Sequence, residues 1–371
     1  MNENKYYRAF DSSGFDSLVR NVRNEYSSSL QDYPWIIGFS GGKDSTLVTH
    51  LVFKAIMELP PKLRTRTIYI LSNDTMVESP FVAEHVKKQL CLIDEAARNF
   101  NLPIKSVVTK PRLAQTFWSL LIGKGYPSPN QKMRWCTDRL KIRPTSKFVL
   151  EQISVRGAAI IVLGVRKSES NSRRNVIEKY HNVGNSNLSP HSDLMGAFIY
   201  RPVVDVETED VWEYLFYHDP PWGGTHEELI RLYKNAEGGE CPLVFTPDDS
   251  PSCGNSRFGC WVCTVVKKDR SLQGFIDSGQ KRYQVLVDFR DWLKSIRDNP
   301  ELRHVRRRNG NLSFDYNGKH IPGPFTIPSR KLILQRLLAV QDIYGEPLIS
   351  DEELEIIAST WASELTSSIK A

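Results

Sequence analysis

The chain has 371 residues, 40% of them hydrophobic, with a formal net charge of +6 and a pI near 8.9. That length and apolar content can fill one large or two ordinary cores, and no apolar run approaches the roughly 20 residues that span a bilayer, so a membrane protein is not expected. The start, MNENKYYRAF, lacks the basic-then-apolar order of a signal peptide. The expected compartment is therefore the cytoplasm, where six cysteines (91, 136, 241, 253, 260 and 263) point to a metal or redox chemistry rather than a disulfide framework.

Residues 1–34 predict an amphipathic helix over 15–26, with Leu18, Val19 and Val22 on one face and Arg20 and Arg23 on another. Trp35 to Phe39 reads as a buried strand that empties into Ser40-Gly41-Gly42-Lys43-Asp44-Ser45-Thr46. Helical spacing of Leu47, Val48, Leu51 and Val52 follows, to Met57. Strand, glycine turn and helix in that order form an anion cradle: paired glycines let backbone N–H groups turn inward, and the helix start adds partial positive charge. The pattern is not a Walker A loop, which would place Gly at 37 and Ser or Thr at 44, where Ile37 and Asp44 stand. Nor does it complete G-x-G-x-x-G. The plain alternative is a helix-capping turn with Asp44 or Ser45 as the cap.

A second strand, Arg66 to Leu71, ends in Ser72-Asn73-Asp74-Thr75. Ligands sit at the carboxyl ends of open α/β sheets, so Asp74 and Thr75 are candidates to face a phosphate ligand, directly or through Mg²⁺, with Glu78 nearby; Asp74 fits a turn residue equally well. Ser79-Pro80 opens a helix to about Phe100, with Cys91 read as a core residue on its apolar face. Strand three is Ile104 to Thr109, followed by a short helical stretch over 113–122 and a Gly/Pro loop over 123–130. In Met133-Arg134-Trp135-Cys136-Thr137-Asp138-Arg139 a cysteine sits among cations where a helix begins, a setting expected to lower its pKa. Strand four, Ala158 to Val165, leads into Arg166 and Lys167, placed to face the triphosphate or an acceptor phosphate. The polar stretch 171–196 reads as a lid or binding loop. Strand five is Phe198 to Val204, and a helix runs from Thr208 to Tyr217.

This alternation predicts an α/β fold: a parallel, Rossmann-like sheet of about five strands with helices on both faces. From Pro220 Gly, Pro and Cys rise, and 237–270 reads as a metal-stabilised knuckle. Helices return at Lys281 to Arg297, Lys331 to Tyr344 and from Asp351, the last with Ser350 and Glu353 at capping-box spacing. The expected division is 1–34 as a helical extension, 35–219 as the nucleotide domain, 220–280 as the Cys-rich region and 281–371 as a helical region.

Cys253, Cys260 and Cys263 form C-x₆-C-x₂-C, three thiolates able to meet at one centre. A tetrahedral zinc or a cubane cluster needs a fourth, from Cys136 or Cys241, with Cys136 favoured by its strand-end setting. Spacing alone leaves zinc and iron–sulfur both open. Two basic runs could track a phosphate backbone or form a solvated surface: Arg303, Arg306, Arg307 and Arg308, and Lys132, Arg134, Arg139, Lys141, Arg143 and Lys147.

S-G-G-K-D-S-T at 40–46, W-C-T-D-R-L-K-I-x-P at 135–144, L-G-V-R-K-S-E-S at 163–170 and G-C-W-V-C-T-V-V at 259–266 together resemble the sulfurtransferases of bacterial DNA phosphorothioation systems, Dnd-type or Ssp-type. These are similar to phosphoadenosine phosphosulfate reductases and share the loop of the ATP pyrophosphatases, which cleave ATP between its α and β phosphates. The resemblance covers about residues 35–270. It implies ATP and Mg²⁺ as reactants and a [4Fe-4S] cluster on Cys136, Cys253, Cys260 and Cys263. It also implies DNA, a cysteine desulfurase as sulfur donor and other proteins of the modification system as partners. Candidate ATP contacts are Phe39, Ser40, Gly41, Gly42, Lys43, Asp44, Ser45, Thr46, Asp74, Gly164 and Arg166, with Lys43, Asp44 and Arg166 in catalytic roles. Thiolation of tRNA and reduction of a phosphosulfate are the neighbouring activities; the latter needs a mobile redox cysteine, and none lies beyond Cys263. An ATP-sensing nucleic-acid-binding module is the non-enzymatic alternative.

Overall fold

Trp35, Ile36 and Ile37 begin the central strand of a six-stranded sheet, and their alternation decides what covers each face. In this computed structural model, which describes residues 12–28, 32–169, 174–175, 177, 187–236 and 259–369, Trp35 and Ile37 enter the main core while Ile36 enters a smaller one behind it. The same period of two sends Ile160 and Val162 one way and Ala159 and Ile161 the other.

The strands are β1 (Trp35–Gly38), β2 (Ile68–Asn73), β3 (Ile104–Thr109), β4 (Ala159–Val162), β5 (Leu188–Pro190) and β6 (Ala197–Tyr200), in the spatial order β3-β2-β1-β4-β6-β5. All neighbours pair in parallel except β5 with β6. Five strands fall where the sequence predicts them. β5 is a correction: Leu188–Pro190 lies inside the stretch read as a lid, yet it forms an antiparallel edge strand, and most of 170–186 lies outside the described residues. A three-residue strand whose only ladder is with the next hairpin arm carries too little pattern to be seen locally.

Helices α1 (Ser12–Ser28), α2 (Lys43–Met57), α3 (Pro80–Asn99) and α5 (Thr208–Tyr217) contribute to the main core. α4 (Arg143–Arg156) covers the smaller one through Phe148, Val149 and Ile153. α2 is buried on nearly every side, as befits a helix sandwiched between sheet and further helices. Its His50 accepts or donates a 2.8 Å bond with the Tyr214 hydroxyl of α5, and Phe15 of α1 stacks on Tyr214 at 3.8 Å. On α3, Cys91 is exposed, which corrects the expectation of a core cysteine: the buried stripe runs through Leu90 and Ile93 instead.

Beyond the sheet lie α6 (Glu227–Ala236), α7 (Arg270–Asp277), α8 (Gln284–Ile296), α9 (Ile327–Tyr344) and α10 (Asp351–Ile369). α10 starts with the reciprocal cap the sequence announces: the Ser350 N–H donates to Glu353 Oε2 at 3.0 Å, and the Glu353 N–H donates to Ser350 Oγ at 3.3 Å. These helices clamp a π-helical turn, Ser119–Gly123, at the foot of the cysteine region. Trp118 Nε1 donates to the Leu348 carbonyl at 2.7 Å, and Trp361 Nε1 donates to the Ile122 carbonyl at 3.0 Å. Arg330 of α9, only 2% exposed, donates to the carbonyls of Phe325 and Gly123 and to Glu364 of α10. No described helix is long and apolar enough to cross a membrane.

Removing a buried guanidinium strands two carbonyls and a carboxylate at once. Arg330→Ala should therefore lower stability by about 3–5 kcal/mol in chemical denaturation; a loss below about 1 kcal/mol would mean that these bonds do not anchor the C-terminal helices.

Candidate functional site

All five parallel strands end on one side, and the strand order reverses at β1, between β2 and β4. Such a switch point opens a crevice at the carboxyl ends, and Ser40 to Lys43 fill it. Gly42, extended at φ −87°, is the N-cap of α2, so neither Asp44 nor Ser45 plays the capping role. Ser45 staples the turn instead: its Oγ donates to the Gly42 carbonyl at 2.9 Å and accepts from the Ser40 N–H at 3.3 Å.

Two glycines are required by contact. Gly41 has φ +72°, and a Cβ there would lie 2.6 Å from Val86 of α3. At Gly164, after β4, a Cβ would lie 2.7 Å from the Asp44 carbonyl oxygen, so the two backbones touch. Thr46 is buried beneath the turn, its Oγ1 without a partner among the described residues. Phe39 points its ring into the core, leaving only its backbone near the crevice.

Asp44 joins the three residues expected to be catalytic. Its Oδ2 accepts from Lys43 Nζ at 2.7 Å and its Oδ1 from Arg166 Nε at 2.7 Å. Burial alone would raise the Asp44 carboxyl, but the two cations outweigh it and hold the group below its ordinary value of 3.8. Because that pKa is depressed, the pairing is intact above the ordinary value and is lost only as pH falls through the still lower folded value. Arg166 is 1% exposed and also donates to Ser168 Oγ and the Val206 carbonyl, so it acts on a ligand by fixing Asp44 and, through it, Lys43.

Two residues that sequence reasoning misses complete the crevice. The Tyr233 hydroxyl of α6 accepts from the Lys43 N–H at 3.2 Å. His85 of α3 is 2% exposed against Gly41, with Glu228 of α6 3.7 Å away; burial pushes its pKa down more strongly than Glu228 raises it. Tyr233 had a legible signal, since Leu229, Leu232, Tyr233 and Ala236 lie at helical spacing on one buried face. His85 had none: nothing local marks which buried side of α3 meets a loop.

Asp74 takes the turn role. Its Oδ1 accepts from the Met76 N–H at 2.8 Å, with Met76 at φ +62°, and its Oδ2 pairs with Lys110 at 3.0 Å. Asp44 and Asp74 are thus both paired with cations.

The cysteines lie on the same side. Gly259 to Trp261 pair antiparallel with the turn after β2: Cys260 bridges Glu78, the Ser79 N–H donates to the Gly259 carbonyl at 3.3 Å, and the Trp261 N–H donates to the Val77 carbonyl at 3.1 Å. Cys260 Sγ lies 3.5 Å from Thr75 Oγ1, and Lys141 pairs with Glu78 at 3.5 Å. Cys263 closes a tight turn onto the Cys260 carbonyl at 2.9 Å, and buried Arg290 donates to the Cys263 carbonyl at 2.7 Å. Cys136 is close enough to Cys263 for that neighbouring thiol to oppose ionisation of Cys136.

Burial, and secondarily Cys263, pushes the Cys136 thiol up, which corrects the expectation of a lowered pKa: Arg139 turns to Gln115 and Asp138 rather than to the sulfur. Burial also pushes Cys260 up to about 12, against the pull of Lys141. Among the described residues no group of three His, Cys, Asp or Glu side chains is gathered tightly enough to hold a metal ion. Cys241 and Cys253 lie outside the described residues. As a donor set, three neighbouring thiols suit a soft metal or a cluster, and one more is needed to complete either.

The family model for the phosphoadenosine phosphosulfate reductase domain matches residues 34–266, which holds the sheet, the glycine turn and the cysteines. The chain belongs to that family. Its fold is the α/β fold of the PP-loop ATP pyrophosphatases. Two uncharacterized proteins of Methanocaldococcus jannaschii are similar to it. One is 23% identical over 68% of this chain and 41% of its own length. The other is 25% identical over 74% and 57%, so the chain spans about half the length of the curated relatives it matches. Among solved structures, a U34-tRNA thiolase from Methanococcus maripaludis with its [4Fe-4S] cluster is similar at 14% identity, covering 76% of this chain and 80% of that one with a TM-score of 0.32.

Gly164→Ala should weaken ATP binding at least about tenfold, because the added methyl must push the Asp44 backbone and with it the ion pair. Calorimetric titration with ATP checks this; an unchanged affinity would show that the Gly164 contact does not set the loop.

Proposed function

We propose that this protein is an ATP-dependent sulfurtransferase that converts a non-bridging oxygen of a DNA backbone phosphate into sulfur, as part of a bacterial DNA modification and defence system. The observation that carries the reading is the adjacency of two chemistries at one sheet end. The ATP turn lies after β1, and Cys260 touches Thr75 and bridges Glu78 just after β2, the neighbouring strand.

The chemistry explains why both are needed. An oxygen on a phosphodiester is a poor leaving group, so it must first be activated. The acceptor oxygen attacks the α phosphorus of ATP, the bond from that phosphorus to the β-bridging oxygen breaks, and pyrophosphate departs. Lys43 and the N–H groups of Gly41, Gly42 and Lys43 offset the charge that develops there, a preorganised electrostatic role. Tyr233 would release the Lys43 N–H to the leaving group. Asp44 and Arg166 position the lysine without touching the reacting atoms. The terminal sulfur of a persulfide, passed on by a cysteine desulfurase partner, then attacks the acceptor phosphorus and AMP leaves with the original oxygen; a second thiol attacks the S–S bond, leaving the sulfur on the phosphorus and a disulfide behind.

Cys136, Cys260 and Cys263, with Cys253, would hold a [4Fe-4S] cluster, which when bound supplies sulfur or redox chemistry beside the activated phosphate. Thr75, Glu78 and Lys141 line the approach between these thiols and the turn. The raised thiol pKa values suit a site whose sulfurs ionise only against a metal.

Nuclease digests of DNA from cells with and without the gene, read by mass spectrometry, should contain phosphorothioate dinucleotides only when the gene is present; thiolated tRNA bases in their place would move the acceptor to RNA. Lys43→Ala should abolish the phosphorothioate while anaerobically purified protein keeps its iron and its colour. Cys136→Ser should lose the colour. A colourless wild type with one zinc and no iron would refute the cluster.

A further inference from the structure

The sheet end carries a concavity that neither the ATP turn nor the cysteines occupy. It lies beyond edge strand β3, where the segment after Thr109 faces the start of α4, and encloses about 470 Å³. Lys110, Arg112, Gln115, Arg139, Arg143 and Lys147 line it, and no carboxylate does. Around the rim the five cations share three acids: Asp74 with Lys110, Asp138 between Arg139 and Arg143, and Glu151 with Lys147. Arg112 has no ion pair or side-chain hydrogen bond among the described residues. Exposed pairs of this kind are weak and yield to a more densely charged anion.

The concavity does not stop at Lys147. A second hollow of about 540 Å³ shares Arg143 and Lys147 with the first and continues along α4 past Ser146, Leu150 and Glu151, whose carboxylate pairs with Lys147, to Ser154. Arg143 to Ser154 spans roughly 16 Å of helix, so the two hollows make one groove suited to a linear ligand with repeated negative charge. No aromatic side chain lines either hollow. The groove therefore offers no stacking platform for bases and grips a backbone without regard to sequence. The hollow is concave, and a flexible single strand can bend to follow it where a stiff duplex cannot.

Its position fits delivery to the reaction. β3 lies two strands from β1, about 10 Å across the sheet, and Arg139 follows Cys136 by three residues. The other basic run is less suited. Arg303 is buried and donates to the carbonyls of Gly323, Arg297 and Pro322, while Arg308 is tied to the Lys124 carbonyl and to Glu364.

We propose that this groove is the track for single-stranded DNA, held by its sugar–phosphate backbone so that one phosphate is presented to the ATP turn. The inference rests on the reading of the acceptor as a DNA phosphate. The test is fluorescence anisotropy of a labelled single-stranded oligonucleotide, and of its duplex, on the full chain across a salt series. It compares wild type, the triple variant Arg112→Gln, Arg143→Gln, Lys147→Gln, the exposed single variant Lys147→Gln, and Arg306→Gln with Arg307→Gln. The expected result is tighter binding of the single strand than of the duplex by wild type. The triple variant should lose at least about tenfold in affinity, with a salt slope shallower by about two. Lys147→Gln, which cannot disturb folding from its exposed site, should lose affinity in the same direction, and the Arg306/Arg307 pair should bind as wild type does. Wild-type affinity in the triple variant overturns the groove while leaving the DNA reading intact. Tighter binding of duplex overturns the single-strand assignment. Wild type that binds neither overturns the groove and the DNA reading together.

Discussion

Two backbones meet at Gly164 and Asp44 with no room for a side chain between them, and the nucleotide end of the molecule depends on that approach. It brings the exit of β4 against the first turn of α2, which lets buried Arg166 reach Asp44, which in turn holds Lys43 beside the Ser40–Gly42 turn. A lysine alone on a glycine loop would sample many rotamers. Held by a carboxylate that is itself held by a guanidinium, its charge is fixed before any phosphate arrives, and fixed charges are the ones that lower a barrier. The arrangement costs desolvation of three ions, and it is offset only because each has a partner at 2.7 Å.

A second constraint ties the sulfur side to the same frame. The Cys260–Cys263 segment would be an unsupported loop without the turn after β2 to pair with and without Arg290 gripping its carbonyls. Cys136 is supported through Trp135, stacked on Phe117 and donating to the Pro127 carbonyl. Phe117 to Pro129 is in turn clamped by α9 and α10 through Trp118, Trp361 and Arg330. The C-terminal helices thus act on the cysteines at one remove, as a brace for the platform on which they sit.

Much of this was legible because it is local. Five strands, the polar turn between β1 and α2 and the Ser350–Glu353 cap all follow from short-range pattern and motif. What escaped depends on distant contacts. Cys136 looked activated because its sequence neighbours are cations, yet in space its neighbour is another thiol and its surroundings are dry. Arg303 read as part of a phosphate track and is instead a buried cap for three carbonyls. Three cations of the groove, Arg139, Arg143 and Lys147, belong to a basic run visible in the sequence, but Lys110 and Arg112 join them from another segment, which no local pattern shows.

A turn that holds a leaving pyrophosphate fixes which products ATP gives. Phosphorus NMR of ATP incubated with the purified protein and single-stranded DNA should show AMP and pyrophosphate accumulating together. ADP and inorganic phosphate as the products would contradict it.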